Sequence, residues 1–365
     1  MKGHAPTLDS NLVNDLRKNL QGELKDDFIS RLLYSTDASI YQIEPLGVII
    51  PRSLDDLTTA VQIAERYHVP IIPRGSGSSL AGQTVGQALI IDTSRYLDRI
   101  LEIDPVNQTA TVEPGVILSS LNRQVAKYGL MFGPDPASAE RASIGGVLGC
   151  NATGAHSITY GMSADHLLET EVILSDGEVC VFTEEDAERL ENLTSIQQPK
   201  SRKDHMFHTA LDIRRNHADV IKRGWPQVWR RASGYNINYL LPWTPTAPPQ
   251  WDNSLYPYPP VQPGKINLSH LVVGSEGTLA VIRKAKLRLV KKPTHTILVV
   301  LTYNSIAEAC DQTTTLLEKH PTAVELIPAE MLRLARAIPA MAMQLGFVQG
   351  DPEAKLVVEF SGSDP

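Results

Sequence analysis

The sequence predicts an α+β protein, and three observations carry that prediction. Helix-spaced and strand-like apolar patterns alternate along the whole chain. A strand-like run, Pro70–Pro73, leads straight into a glycine-rich loop. From His295 a β-α-β-α-β succession opens a separate small unit.

Taken in order, Leu12, Leu16 and Leu20 lie at helical spacing, so an amphipathic helix is expected over Asp9–Asp26 and a short one over Phe28–Tyr34. Gly47–Pro51 reads as a strand. Ser53 with Asp56 is an S-x-x-D capping signal for a helix that buries Leu57, Val61 and Ala64 and ends near His68. Ala88–Asp92 is a further strand. Ile100–Asp104 and Thr109–Glu113 flank a turn and predict a hairpin, and Val116–Tyr128 predicts a helix. Glu169–Thr183 predicts a second hairpin with Asp176-Gly177 at its turn.

Glu184–Ile266 breaks the pattern. A charged helical run, Lys203–Arg223, precedes eight prolines between Pro242 and Pro263, so the stretch reads as a long surface loop or insert. Strand patterns resume at Ser269–Val273 and Thr278–Val290. The last unit reads strand Thr296–Tyr303, helix Ser305–Lys319, strand Ala323–Ile327, helix Ala329–Ala337, strand Lys355–Ser361, with no closing helix after it.

At 365 residues the chain suits about two domains of roughly 150 residues each. With 42% hydrophobic and 21% charged residues it can bury a sizeable core. A net charge of -7 argues against nucleic acid as the main partner. Three cysteines, Cys150, Cys180 and Cys310, are too few and too scattered for a disulfide framework, a thiolate metal site or a four-thiolate cluster. No metal site is expected. No apolar h-region opens the chain and no run reaches the ~20 residues of a membrane span, so a cytoplasmic protein is expected, with association at the inner membrane's surface left open.

Three segments carry chemistry. In Pro73-Arg74-Gly75-Ser76-Gly77-Ser78-Ser79-Leu80-Ala81-Gly82-Gln83, glycines let consecutive N–H groups face one concavity, serines add neutral donors and Arg74 offers charge. A pyrophosphate suits such a cradle; a plain flexible turn is the alternative. A Rossmann fingerprint would need glycine or alanine where Leu80 stands. The second segment runs through Gly133-Pro134-Asp135-Pro136, Ala142-Ser143-Ile144-Gly145-Gly146, Asn151-Ala152-Thr153-Gly154 and Tyr160-Gly161. Small residues at this density give a surface on which a flat ligand can lie, or a helix packed tightly on a neighbour. The third, Gly274-Ser275-Glu276-Gly277-Thr278, places a carboxylate between glycines, where it can accept from a ribose or a ring N–H or sit in a solvated turn.

In order and spacing these segments resemble flavoenzymes with the vanillyl-alcohol-oxidase-type (PCMH-type) FAD-binding domain, and within them the D-2-hydroxyacid dehydrogenase branch: glycolate oxidase flavin subunits, D-lactate dehydrogenases and D-2-hydroxyglutarate dehydrogenases. Tyr34–Ser39, Asp135–Ser138 and Gly234–Asn236 resemble the flavin module of fused FAD/iron–sulfur oxidoreductases. The resemblance implies an N-terminal helical extension over 1–42, a PCMH-type FAD-binding domain of two α/β subdomains over 43–292 with the insert at about 184–266, and an incomplete ferredoxin-like cap over 293–365.

It further implies that Pro73, Arg74, Gly75, Ser76, Gly77, Ser78, Ser79, Gly82 and Gln83 hold the FAD pyrophosphate. Pro134, Asp135, Ala142, Ser143, Gly146, Asn151 and Gly154 would line the isoalloxazine and ribityl path, which Tyr160 and Gly161 close. Glu276, Gly277, Val281 and Ile282 would take the remaining edge. Ser78 stands where some relatives carry a histidine bonded to the flavin, so non-covalent FAD is expected. The implied function is oxidation of a D-2-hydroxy acid to the 2-oxo acid, with electrons passed to an acceptor protein, an iron–sulfur domain or a quinone. The alternative is an FAD-binding part without independent activity. The implied acid/base groups come from a later part of the cap, so the catalytic residues stay unknown, with His156 and Glu325 the candidates inside the chain. Cys150 reads as a small core residue. The basic cluster Arg214, Arg215, Lys222, Arg223, Arg230 and Arg231 reads as a solvated face, with docking to an acidic electron-transfer partner as the minority reading.

Overall fold

The computed structural model describes residues 8–196, 201–231, 234–251 and 258–363. The first residues of the N-terminal extension and residues 252–257 of the proline-rich stretch lie outside them. Helix α1 (Ser10–Asn19) starts at Asp9, whose carboxylate accepts from the amide of Asn11 at 2.7 Å. The expected helix through Asp26 stops early. Asp56 takes the amides of Gln21 and Gly22 at 2.8 and 2.6 Å, and β1 (Glu23–Lys25) pairs antiparallel with β2 (Gly47–Ile50). Helix α2 (Phe28–Leu33) lies between them in the chain.

Ser53 caps α3 (Leu54–Arg66) by accepting from the amide of Asp56 at 3.1 Å. Strands β3 (Ile71–Arg74) and β4 (Leu89–Asp92) complete a sheet of order β1-β2-β4-β3, in which β4 runs parallel to both β2 and β3. Central parallel strands are covered on both faces, which is why β2 and β4 read as unbroken apolar runs and are buried throughout. Leu12, Leu16, Leu57, Val61, Ile49 and Ile91 join in one core, each large side chain contributing about 1.5–3 kcal/mol by its burial.

A second sheet is antiparallel. Strands β5 (Ile100–Asp104) and β6 (Thr109–Val112) form the expected hairpin; α4 (Leu118–Val125), β7 (Leu130–Met131), α5 (Ile144–Gly149) and α6 (Ser157–Tyr160) follow. Strands β8 (Leu167–Ile173) and β9 (Val179–Phe182) turn at Gly177. After β10 (Glu185–Asp186) come α7 (Ala187–Ile196), α8 (Arg202–Asn216), α9 (Ala218–Gly224), β11 (Lys265–Ile266), α10 (Ser269–Val272), β12 (Val281–Arg288) and β13 (Val290–Lys291). The sheet order is β5-β6-β12-β8-β9.

Two expectations are corrected here. The stretch 184–266 is not a surface loop: Phe207, Ala210, Leu211, Tyr239, Leu240, Val261 and Ile266 are buried in the core beneath the second sheet. Prolines prevent ladders but do not prevent apolar side chains from packing. Ser269–Val272 is a helical turn, not a strand, because Asn267 accepts the amide of Ser269 at 2.9 Å and starts a turn where an apolar run alone is ambiguous.

The C-terminal unit follows the predicted succession: β14 (His295–Tyr303), α11 (Ile306–Leu317), β15 (Ala323–Pro328), α12 (Ala329–Arg336), the short α13 (Pro339–Ala342) and β16 (Ala354–Gly362). Its sheet has order β14-β16-β15, with β16 antiparallel to both neighbours. Its core is small: Ala309, Ala354, Leu356 and Val358. No helix among the described residues is long and apolar enough to cross a membrane.

Candidate functional site

A cleft opens where the loop after β3, the start of α5 and the turn before β12 converge. Pro73, Arg74, Gly75, Ser79, Gln83, Gly145, Gly146, Gly149, Cys150, Glu276, Gly277, Val281 and Ile282 are among its lining residues, and it encloses about 680 Å³ including its open mouth. Two sheets therefore supply opposite walls, and three of the motifs meet in one place.

Arg74 shapes the loop from beneath. Its guanidinium is buried and donates to three main-chain carbonyls, those of Tyr34 at 3.2 Å, Thr36 at 2.8 Å and Thr84 at 3.0 Å. Burial lowers its pKa from the ordinary value while Asp92 and Asp37 oppose the shift. The charge expected to face a phosphate is thus spent on holding the loop. Gly77, at φ +66°, lies over this group: a Cβ there would come within 2.4 Å of Arg74 Nη2. A left-handed, side-chain-less residue is what lets the chain cross so close.

The N–H groups of Ser76 to Ser79 donate to no protein acceptor among the described residues; Ser76 is exposed and the next three residues are half-buried, so these amides are open to an outside acceptor. Ser143 Oγ, at the start of α5, is buried without a partner, and a Cβ on Gly75 would lie only 2.0 Å from it. Thr153 Oγ1 is likewise buried and unpartnered. Unspent donors around a wall with no Cβ atoms suit a ligand rich in oxygen acceptors. Across the cleft, Glu276 adopts φ +53°, its amide donates to Gly149 O at 2.9 Å, and its carboxylate accepts from Gln83 Nε2 at 3.2 Å. The third motif is therefore tied to the first.

Cys150 is a correction: it is exposed on the cleft wall and not a core residue. Although the residue is exposed, the crowding of protein around its sulfur, with the charge of Glu276, pushes the thiol up, so it is protonated and weakly nucleophilic near neutrality. From Cys150 a second groove continues past Asn151, Ala152 and Thr153 to Gln227–Arg231. Asn151 spends its carbonyl on the amide of Ala164 at 3.0 Å, so it shapes the turn that precedes β8.

Beyond Gly154 the loops close on one another. A Cβ on Gly154 would meet Asp135 O at 2.1 Å, and a Cβ on Gly133 would meet Tyr160 Cβ at 2.9 Å. Asp135 Oδ2 lies 2.5 Å from His156 Nδ1, and His156 Nε2 lies 2.8 Å from Glu359 Oε1 of β16. Asp135, with Glu359 behind it, raises the His156 pKa to about 9, although burial opposes this. An imidazolium with both nitrogens engaged is not poised to accept a proton. Glu325 is exposed on β15 and makes none of these contacts; Glu359, which pairs with Ala323 at the end of the β15–β16 ladder, is the carboxylate that meets His156.

Among the residues named from sequence, Pro73, Arg74, Gly75, Ser79, Gln83, Gly146, Glu276, Gly277, Val281 and Ile282 line the cleft together. Pro134, Asp135, Gly154, Tyr160 and Gly161 sit in the adjoining loop cluster, and Ala142 and Ser143 lie behind the wall. Residues missed were Thr84, Thr93, Pro114, Gly149 and Val272. Gly149 continues the glycine spacing of α5 and was legible; Thr93 and Pro114 carry no local signal. The basic cluster is not one face: Arg214 donates to Leu240 O and Lys265 O, and Arg231 to the side chains of Asn236 and Asn238. No group of histidines, cysteines and carboxylates among the described residues could hold a metal ion.

Comparison with known proteins bears on this cleft. A family model described as FAD binding domain matches residues 45–183. D-2-hydroxyglutarate dehydrogenase of Escherichia coli (strain K12) is 29% identical over 362 residues, 97% of this chain and 34% of that protein. Glycolate oxidase subunit GlcD of Bacillus subtilis (strain 168) is 39% identical over 156 residues, 42% of this chain and 33% of its own length. The chain thus spans about a third of the length of these relatives. A solved structure of alkyldihydroxyacetonephosphate synthase superposes with a TM-score of 0.65 at 18% identity, covering 99% of this chain and 57% of that one.

Proposed function

We propose that this chain, whose residues 45–183 match a family model described as FAD binding domain, is the flavin module of an enzyme that oxidises a D-2-hydroxy acid to the 2-oxo acid. The substrate is of the D-lactate, D-2-hydroxyglutarate or glycolate class, and the electrons leave to a separate acceptor. The observation that carries the reading is the cleft itself: a wall of Gly75, Ser79, Gly145, Gly146 and Gly149, adjoining a loop whose Ser76–Ser79 amides donate to no acceptor among the described residues.

In this reading the Gly75–Ser79 amides take the pyrophosphate, and Gly146, Gly149, Glu276 and Gly277 bound the rest of the cofactor. Bound FAD supplies a two-electron acceptor for the hydride that leaves C2 as the hydroxyl loses its proton. Asp135, Asn151 and Gly154 set the loops that confine it and exclude water. Ser78 stands where a linking histidine would be, so in this reading FAD is held non-covalently. Residues 43–292 would be the cofactor domain and 293–365 the start of a ferredoxin-like cap, for which the split order β14-β16-β15 is the support. We assign the protein to the cytoplasm, where three scattered free cysteines fit.

A second reading, an FAD-binding part with no activity of its own, is favoured by the third of the relatives' length that the chain spans. An anaerobic visible spectrum before and after a panel of D- and L-2-hydroxy acids separates the two. Bleaching by a D-acid alone supports the first, and a yellow protein that every acid leaves unchanged supports the second. Colourless protein that takes up no FAD on reconstitution removes both.

A further inference from the structure

The Asp135–His156–Glu359 chain joins two parts of the molecule that no strand connects. Asp135 belongs to the loop Gly133–Pro136 beside the cleft, His156 precedes α6, and Glu359 stands in β16 of the C-terminal sheet. His156 holds Asp135 twice, through its ring and through its amide at 3.2 Å. Glu359 Oε1 is fixed from its own side by Thr322 Oγ1 at 3.0 Å and Ser361 Oγ at 2.6 Å.

A neutral imidazole has one N–H, so with a carboxylate at each nitrogen one of the two contacts would set acceptor against acceptor. Only the cation satisfies both. Among the described residues no lysine or arginine pairs with either carboxylate. Tyr160, with its ring 6.3 Å away, is the other titratable group facing the cluster, and the two carboxylates help to hold its hydroxyl protonated, after burial.

We propose that His156 is a charge-dependent pin that clasps the C-terminal sheet onto the cleft-side loop and lets go when the ring loses its proton. Loss of that proton leaves two carboxylates facing each other across a neutral ring. Among the described residues the other hydrogen bonds between the parts, Thr159 Oγ1 to Thr322 O at 3.1 Å and Gln250 to Pro321 O, carry no charge and do not replace it. The C-terminal sheet is then held less firmly and loosens about the Lys292–Thr294 connection. The pin uses only groups the chain supplies, so it stands or falls separately from the cofactor reading.

The sign follows from the pKa. His156 titrates at about 9 when folded against an ordinary 6.5, so the clasp is closed through neutral pH and opens as pH rises through 9. At the acid end it opens as Glu359 protonates. Burial opposes ionisation there, but hydrogen bonds from Ser361, His156 and Thr322 hold that carboxyl below its ordinary value.

The test is a histidine ring NMR titration of the full chain, assigned with His156→Gln, alongside trypsin cleavage after Lys291. The expected results are a wild-type His156 titrating well above the ordinary histidine range and a downward shift in Glu359→Gln. Cleavage of Glu359→Gln should be several-fold faster than wild type near neutral pH, and equal to it at about pH 10. Ordinary titration of His156, no response of that titration to Glu359→Gln, or equal cleavage at both pH values overturns the proposal. Glu359→Gln keeps the side chain's shape, so the test survives if His156→Gln fails to fold.

Discussion

Gly154 and Gly149 sit five residues apart and face opposite constraints. At Gly154 an added Cβ would drive into the main chain of Asp135 at 2.1 Å, which cannot swing aside. Gly154→Ala is expected to cost about 1–3 kcal/mol in calorimetric unfolding, as overpacking does. At Gly149 a Cβ meets nothing within 4 Å, yet the residue lines the cleft. Gly149→Ala should leave stability within about 1 kcal/mol of wild type while weakening FAD binding about tenfold, or ~1.4 kcal/mol, in a fluorescence titration. Unchanged affinity would place the cofactor away from that wall. His166 and His270 are buried, and burial pushes each down to about 4. Each therefore binds a proton on unfolding below about pH 6.5, and stability must fall as pH drops from there towards 4. Asp165, raised by burial to about 6, acts in the opposite sense. Two histidines outweigh one carboxyl over that window, so the melting temperature should decline steadily on acidification.

At the level of elements, the loop after β3 shows how a strand end becomes a site. Arg74 is the last residue of β3 and ties three separate carbonyls, those of Tyr34, Thr36 and Thr84, to that strand. Arg74→Ala leaves them unpaired in a partly buried place and is expected to cost about 1–3 kcal/mol in denaturant unfolding. Arg74→Lys should recover only part of this, because one ammonium cannot reproduce the planar fork. The hairpins, α3 with its Ser53 cap and the succession from β14 to β16 were legible, since their signals are local: apolar period, capping residue, turn glycine. The early end of α1 was not, because it depends on Asp56 reaching back to Gln21 and Gly22 across the fold. The same applies to α10, whose apolar run fits either a strand or a buried turn until Asn267 starts the latter.

At the scale of the molecule, the cleft exists because segments far apart in the chain converge on it, as Gln83 and Glu276 do at 3.2 Å. In the proposed reading the cofactor is held by amides and close approach, so it should come off when the fold is lost. Acid precipitation is expected to leave free FAD in the supernatant and no yellow band on a denaturing gel. The glycine-rich motifs, the capping residues and the strand-helix rhythm were determined by the sequence alone, because each is a constraint on neighbouring residues: a positive φ, an amide to be capped, a face to be buried. What Arg74, Cys150, His156 and the stretch 184–266 do was decided only by tertiary structure. A side chain's charge state and purpose depend on what lies across from it, and those neighbours arrive from distant parts of the chain.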